Sequence, residues 1–507
     1  MSPSTVTPPY VIPAARRVHT KSLLTVQTAT DPGKVGAYRM AGIPDGLGAY
    51  RTDGNALKLL MNHELRADTG AVHKHGEQGA FVSEWTISRD SLEVTEGSDL
   101  IEPGVQYWDY LESEYADAPN AAGTRDDGEA FPAYSAQFLR FCSNNLTEPG
   151  QLFNHRTGRG YHGRVFFPNE ESGVEGRTFG TLTDGTTRQL PRLGLFSWEN
   201  TIAAHNRSDT TLVMGNEDTA EGHVWAYVGS KTRRASAFDK AGLTNGNNFV
   251  IDLEDEAVSD DAGFRAAVGK GVPAAFDLAE IGWDQSGAKQ NAEAKAEGLS
   301  LNRVEDGAWD PRNPDDFYFL TTEGGKGART PTGFYGRDGG GLWRLRFDDR
   351  ERPLAGGTLE LLLDGSEAPY LNKPDNMTID KRGNMLIQED PGNNVSVARI
   401  VEYEIATGYR GVLAQFNPAI FGWTGDMTPP ATPTDQPVPV PAGEVDVGLS
   451  TVDEESSGII DARSVLGRGW FLFGAQIHIT HPDPELVEYG QLLAMRVASW
   501  KYIYTLD

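Results

Sequence analysis

Only one cysteine, Cys142, occurs in the chain, so no intrachain disulfide framework can form and sulfur says nothing about the redox compartment. Long apolar runs are missing too. The apolar stretches are a few residues each, well short of the roughly 20 a membrane-spanning helix needs. Basic residues are scarce: 45 Lys and Arg stand against 72 Asp and Glu, a formal net charge of −27. Such a field repels nucleic acid and anionic membrane, and neither is expected as a partner. No G-x-S-x-G elbow and no H-E-x-x-H helix is present, so serine-hydrolase and zincin chemistry have no sequence support. TTEGGKGART (321–330) is glycine-rich but lacks the spacing and following helix of a phosphate loop, and GGGLW (339–343) reads as a strand entry. The first residues, MSPSTVTPPYVIPAARRVHTKSLL, contain no apolar core ahead of a cleavage site. The expectation is a cytoplasmic protein, or one whose export signal was replaced by an initiator methionine.

Turn-formers are abundant, with 58 glycines and 29 prolines, which favours many short strands over long helices. Strand-like runs recur: FVSEWTIS (81–88), RVFFP (164–168), TTLVMG (210–215), HVWAYVG (223–229), DFYFLTT (316–322), GLWRLRF (341–347), TLELLLDG (358–365), GNMLIQ (383–388), RIVEYEI (399–405) and GWFLFGAQIHI (469–479). Turn signals such as TDGN, DPRNPDD and DKRGN separate them, the spacing of antiparallel hairpins. The fold class is all-β. Residues 254–300, rich in Ala, Glu and Lys, read as a short helical insertion. MTPPATPTDQPVPVPAGE (427–444) and the acidic stretch 112–130 read as irregular loops, not as linkers between domains. One domain over 1–507 is expected.

Several strands end alike. LLMNHEL ends in Asn62, His63, Glu64; VFFPNEES in Asn169, Glu170, Glu171; LVMGNED in Asn216, Glu217, Asp218; MLIQED in Gln388, Glu389, Asp390. A looser copy ends in Thr321, Thr322, Glu323. Adjacent carboxylates at the end of an apolar strand are costly to desolvate without a cation. A β-propeller explains the repetition, because inner-strand ends of separate blades converge at one channel mouth. Carboxylates converging there need protons or metal ions as counter-charge. Oxygen-rich sites suit Ca²⁺ or Mn²⁺, and imidazole widens the choice to Zn, Fe or Mn. Of the histidines beside the acidic runs, an ordinary hydrogen-bonded imidazole accounts for His63 and His481. His223 and His478 lie on or next to strands of the pattern, and alternation puts Gln476 and His478 on one face.

The ordered segments RVFFPNEESGVEGR, LPRLGLFSWEN, TTLVMGNEDTAEGHVWAYVG, NRVEDGAWDPRNPDDFYFLTT, PDNMTIDKRGNMLIQED and AQIHITHPDPELVEYGQLLAMRV resemble the PhoX-type alkaline phosphatases and phytase-like propellers. The resemblance implies a β-propeller whose axial pocket holds an iron pair with calcium ions and hydrolyses phosphate esters, in a secreted or periplasmic protein. More distantly, the pattern is similar to a propeller phosphotriesterase with two manganese ions. Carried over residue by residue, Glu170 and Glu171 fall on the family's Cys-Glu-Glu run and Glu199 of SWEN on a metal-binding glutamate. Arg303 and Glu305 fall on its Arg-Pro-Glu element, and Asp375 and Asp390 on acidic positions near its ions. Asn169 stands where the family has its iron-binding cysteine, and Cys142 lies far upstream; an all-oxygen and nitrogen site for Mn²⁺, Ca²⁺ or Zn²⁺ is therefore expected. With His223 and His478 these residues form the expected metal set, with Glu199 also catalytic and Arg303 pairing with a phosphoryl oxygen. The expected activity is a metal-dependent phosphoesterase with two or more ions and a small phosphoester substrate. A calcium-dependent lactonase-like enzyme and a non-catalytic, ion-stapled binding propeller are the alternatives.

Overall fold

The computed structural model describes residues 4–52, 54–255, 257–323, 339–365, 371–390, 397–421 and 454–503. The proline-rich stretch 427–444 and most of 321–330 lie outside these residues. The described chain is a β-propeller whose sheets follow one another in sequence. The first sheet is Pro44–Arg51, Ala56–His63, Phe81–Ser88 and Val94–Asp99. The second, Val165–Phe166, Phe179–Leu182 and Thr187–Gln189, has an irregular inner segment that bridges at Phe141–Glu170 and Leu146–Phe166. The third begins Trp198–Ala203, Thr210–Glu217, Val224–Ser230 and Asn247–Leu253; the fourth is Val304–Trp309, Asp316–Thr321, Gly341–Phe347 and Gly357–Asp364. The fifth is Pro374–Ile379, Asn384–Glu389, Arg399–Glu404 and Tyr409–Phe416, with Val11–Pro13 on its edge. The sixth is Glu455–Asp461, Trp470–Thr480 and Glu488–Val497, and it is completed by the early strand Val18–Thr25. Pairing Val18 with Val497 and Thr25 with Gln491 closes the circle and removes an open sheet edge.

Apolar clusters lie between neighbouring sheets. Leu60 and Val82 of the first meet Phe166 and Phe179 of the second. Phe167 and Leu190 meet Trp198 and Trp225 of the third. Leu212 and Met214 meet Phe317 and Trp343 of the fourth, and Leu320 and Leu342 meet Met385 and Ile387 of the fifth. Leu386 and Ile400 meet Phe471 and Phe473 of the sixth, and Leu472 and Leu492 return to Leu59 and Trp85 of the first. Burial is therefore shared between sheets, and each blade is held by its neighbours.

Residues 254–300 carry two short helices, Asp261–Ala267 and Gly287–Glu297, as the composition predicts. They also carry a strand that the helical reading misses. Ala274–Ile281 extends the third sheet and pairs through Ala274–Phe276 with Gly357–Leu359 of the fourth, giving one nine-stranded sheet. GGGLW enters a strand, Gly341–Phe347, as read.

Candidate metal centre

The repeated strand ends become six equivalent positions once the strands are in register. Pro44 pairs with His63, Trp198 with Glu217, Val304 with Thr321, and Pro374 with Glu389. The corresponding tripeptides are Asn62-His63-Glu64, Asn169-Glu170-Glu171, Asn216-Glu217-Asp218, Leu320-Thr321-Thr322, Gln388-Glu389-Asp390 and Gln476-Ile477-His478. The fourth copy is thus one residue earlier than the sequence suggests, and the closing strand supplies a sixth.

Strand alternation splits each tripeptide. In five of the six copies the middle residue has a partner inside its own part of the fold. His63 lies 3.0 Å from the Gly42 carbonyl and 2.9 Å from Ser83 Oγ. The Glu170 carboxylate is gripped by the buried Arg177 guanidinium, with Arg177 Nε donating at 2.7 Å. Glu217 accepts from His223 Nδ1 and Trp225 Nε1, each at 3.0 Å. Arg399 holds Glu389, with Nε donating at 2.7 Å, and Trp343 Nε1 donates to Thr321 Oγ1 at 3.0 Å.

The first residue reaches toward the next sheet. Asn62 Nδ2 donates to the Cys142 carbonyl at 2.6 Å, Asn169 Nδ2 to the Glu199 carbonyl at 3.1 Å, and Asn216 Nδ2 to the Glu305 carbonyl. Gln476 Nε2 donates to Asp45 Oδ2 at 3.0 Å, and Gln388 Oε1 accepts from Ile459 N at 3.0 Å. In the fourth sheet, Thr322 Oγ1 donates to the Pro374 carbonyl at 3.0 Å instead. These buried bonds fix the innermost strand of each following blade beside a residue that faces the axis.

Those axial residues are Asp45, Cys142, Glu199, Glu305, Asp375 and Glu455, one per blade. Four of them sit where the inner ladder slips register: between Pro44 and Leu47, Trp198 and Asn200, Val304 and Gly307, and Pro374 and Met377. A β-bulge re-aims a side chain, and here each one serves a carboxylate. Two residues ahead of four axial positions the backbone is left-handed: Ile43 at φ 51°, Arg140 at 40°, Arg303 at 57° and Lys373 at 50°. Non-glycine residues pay for this conformation, and β-branched Ile43 most of all. Below the acids, Asn200 and the Met377 N–H bond to Asp306, and Ser457 Oγ lies 2.6 Å from Asp45 and 2.8 Å from Asn376. A separate cavity of about 550 Å³ opens beyond this floor, lined by Leu47, Ile202, Trp309 and Ile460.

Ligand atoms of Asp45, Glu64 and Cys142 lie within 4.8 Å of one another, as do those of Cys142, Glu171 and Glu199. The same holds for Glu199, Glu305 and Asp375, and for Asp375, Asp390 and Glu455. Shared members link the four groups into one arc. Asp218 adjoins it through Arg303, whose Nη2 lies 2.7 Å from Asp218 Oδ2 and 3.3 Å from Glu305 Oε1. Arg140 Nη2 lies 2.5 Å from Glu64 Oε1 and 2.7 Å from Glu171 Oε2. Arg140, Arg303 and His478 make ion pairs with carboxyls of this arc.

The acids are correspondingly hard to ionise. Burial, then neighbouring carboxylates, push Glu199, Glu305, Asp375 and Glu455 well above the usual range, and Glu171 is raised by burial against the pull of Arg140. Asp45 rises to about 7, first from burial and then from Glu64. Burial followed by Asp45 and Glu199 lifts the Cys142 thiol, which donates to Glu199 Oε2 at 2.8 Å. Glu199 Oε1 is buried with no hydrogen-bond partner. A carboxylate oxygen left without a donor, in a cluster of acids and a thiol, is the environment that a bound cation would complete.

Of the residues expected from the sequence, Glu171, Glu199, Glu305, Asp375 and Asp390 fall in the arc, and Arg303 pairs with its acids. Glu170 and His223 do not join it: Glu170, a middle residue, is paired with Arg177, and His223 is the partner of the middle residue Glu217. His478 reaches the arc's edge, with Nε2 3.7 Å from Glu455 Oε1 and Nδ1 3.0 Å from Glu488 Oε2. Against burial, these two carboxylates raise its pKa well above the ordinary value. His481 turns away, to the Gln27 carbonyl at 3.0 Å. Cys142 corrects the sequence reading most. Distance along the chain is no obstacle, because the second blade's inner segment brings the thiol to the axis. Asp45 and Glu455 were missed, although IPDG around Asp45 repeats the Pro-Asp of KPDN around Asp375.

Comparison with known proteins agrees with this architecture. The family model described as alkaline phosphatase PhoX matches residues 182–416. Among curated proteins nothing matches. The fold is similar to PhoX of Pseudomonas fluorescens, solved in complex with vanadate, a transition state analogue: TM-score 0.59, 12% identity, 97% of each chain covered. Weaker likenesses include a gluconolactonase from Xanthomonas campestris (TM-score 0.26, 11% identity, 97% and 99% covered) and the NanB sialidase of Streptococcus pneumoniae (TM-score 0.36, 7% identity, 94% and 70% covered). Those two scores are too low to bear on chemistry. The resemblance to the PhoX-type alkaline phosphatases is thus carried by a family match over residues 182–416 and by a shared propeller fold along nearly the whole chain.

Proposed function

We propose that the axial arc is the active site of a metal-dependent phosphoesterase, secreted or periplasmic, that acts on small phosphate esters. The observation that supports the metal requirement is the excess, among the described residues, of carboxyl groups and a thiol around one mouth over the guanidiniums and imidazole that pair with them. The phosphoester class rests on the PhoX match, whose span includes Glu199, Asp218, Arg303, Glu305, Asp375 and Asp390.

The donor set is graded along the arc. Asp45, Glu64, Cys142, Glu171 and Glu199 combine sulfur with oxygen and would hold Fe, Zn or Mn. Glu305, Asp375, Asp390 and Glu455 offer oxygen only and would hold Ca²⁺. When bound, such cations polarise a phosphoryl oxygen and acidify a water. Glu199 belongs to both ends of the arc, so its carboxylate couples them. Arg303, with its fork on Asp218 and a second contact to Glu305, sits where it can also donate to a non-bridging phosphoryl oxygen. The buried Asn and Gln amides hold the axial backbone still while charge develops.

Elemental analysis of the purified protein, with an aryl phosphate mono-, di- and triester panel before and after chelation, tests this reading. The expected result is two or more ions per chain, at least one a transition metal, with hydrolysis lost on chelation and restored by metal. Calcium alone, or hydrolysis indifferent to chelation, would overturn it.

A further inference from the structure

Arg140 occupies the place in the second blade that Arg303 occupies in the fourth. Each stands two residues ahead of an axial residue, Cys142 and Glu305, and each is left-handed, at φ 40° and 57°. Neither bulky side chain gains from that conformation by itself; it directs a long cationic arm over the arc. Each guanidinium uses Nε and Nη2 on the acids. Arg140 takes Glu64 at 2.8 and 2.5 Å and Glu171 at 2.7 Å, and Arg303 takes Asp218 at 2.8 and 2.7 Å. Among the described residues, Nη1 of neither arginine makes a hydrogen bond, so two N–H donors remain on each. The side chains are 41% and 29% exposed, open to a ligand arriving at the mouth. They are also linked across the arc: Arg140 Nη2 lies 2.7 Å from Glu171 and Arg303 Nη2 3.3 Å from Glu305, and ligand atoms of both acids lie within 4.8 Å of one of Glu199.

We infer that Arg140 is a second anion-binding group of this site, forming with Arg303 a two-armed clamp for the non-bridging oxygens of a phosphoryl group. The inference rests on the phosphoesterase reading. A guanidinium keeps its charge at any working pH and presents planar donors that match phosphoryl oxygens, which a Lys ammonium does not. Two such arms favour a dianionic monoester over a monoanionic diester. The competing role is structural, with Arg140 only neutralising Glu64 and Glu171.

The test uses metal-loaded Arg140→Lys and Arg140→Met. Inorganic phosphate binding is measured by calorimetry, metal content by elemental analysis, and KM with aryl phosphate mono- and diesters. A lost charge-assisted bond should weaken phosphate binding and raise the monoester KM by roughly tenfold or more. Metal content should stay unchanged, the diester KM should move less, and Lys should rescue only in part. Unchanged phosphate binding in both variants, full rescue by Lys, or weakened binding that follows metal loss would overturn the clamp. Wild-type protein that binds phosphate in an Arg140-dependent way yet hydrolyses no ester would overturn the hydrolase reading and leave the clamp standing. Wild-type protein that binds no phosphate would overturn both.

Discussion

Adjacent acids at the second-strand ends meet opposite fates. Glu170, Glu217 and Glu389 point into the blades, where Arg177, His223 with Trp225, and Arg399 meet them. Their neighbours Glu171, Asp218 and Asp390 point to the axis, where acids outnumber bases among the described residues. The chemistry is the same and the difference is one residue of strand parity. Inside the blades the chain provides its own hydrogen-bond donors, and those acids maintain the fold. At the axis, among the described residues, the carboxyls outnumber the guanidiniums of Arg140 and Arg303 that pair with them, and the groups they form could hold a cation. The contrast separates carboxylates paired within a blade from those gathered at the axis without reference to any relative.

The contrast breaks most severely inside a blade. Arg177→Met strands the Glu170 carboxylate in a fully buried place, and losing one partner of a buried pair costs about 3–5 kcal/mol. The urea midpoint should fall accordingly, while metal per folded chain stays constant. At the axis the effect should invert. Glu199→Gln is nearly isosteric and removes repulsion, so the chelated protein should be no less stable. Turnover should drop at least about a hundredfold, beyond the loss typical of outer-shell changes. Full activity with unchanged metal content would make Glu199 a structural residue. Asn216→Ala sharpens the link between the regions, since it leaves the buried Glu305 carbonyl unpaired. It should cost about 1–3 kcal/mol in urea unfolding and weaken metal retention on dialysis. The smallest change separates two histidines of the last strands. His478→Ala should reduce bound metal and activity, and His481→Ala should leave both near wild type; equal effects would remove the last blade from the site.

The second and third strands of the blades were legible because their apolar periodicity is intact, as in FVSEWTIS and GLWRLRF. The innermost strands were not. Trp198–Ala203, Val304–Trp309 and Pro374–Ile379 each carry an acid and a bulge near the start, which breaks alternation where the site is built. The tripeptides announced converging acids, yet sequence could not assign which of two adjacent carboxylates faces the axis. That depends on register, which only the paired strands fix. Cys142 was illegible for a related reason. Its segment is barely a strand, and its position comes from isolated bridges such as Phe141–Glu170.

The central claim is that the axial acids rely on outside cations, and the pH dependence of thermal unfolding tests it most directly. In the chelated protein, buried axial carboxyls have folded pKa values above their unfolded ones, Asp45 moving from 3.8 to about 7. The folded state then binds more protons than the unfolded, so their contribution is full below the unfolded value and is lost as pH rises through the folded one. With cations bound the same groups are ionised in the fold, the sign reverses, and stability should grow with pH across the carboxylate range. Asp306 and Asp461, raised by burial to about 7 and about 6 outside the arc, contribute alike to both forms and cancel in the difference. The account predicts midpoints that fall with rising pH between about pH 4 and 8 under chelation and rise with cations present. Parallel curves would contradict it.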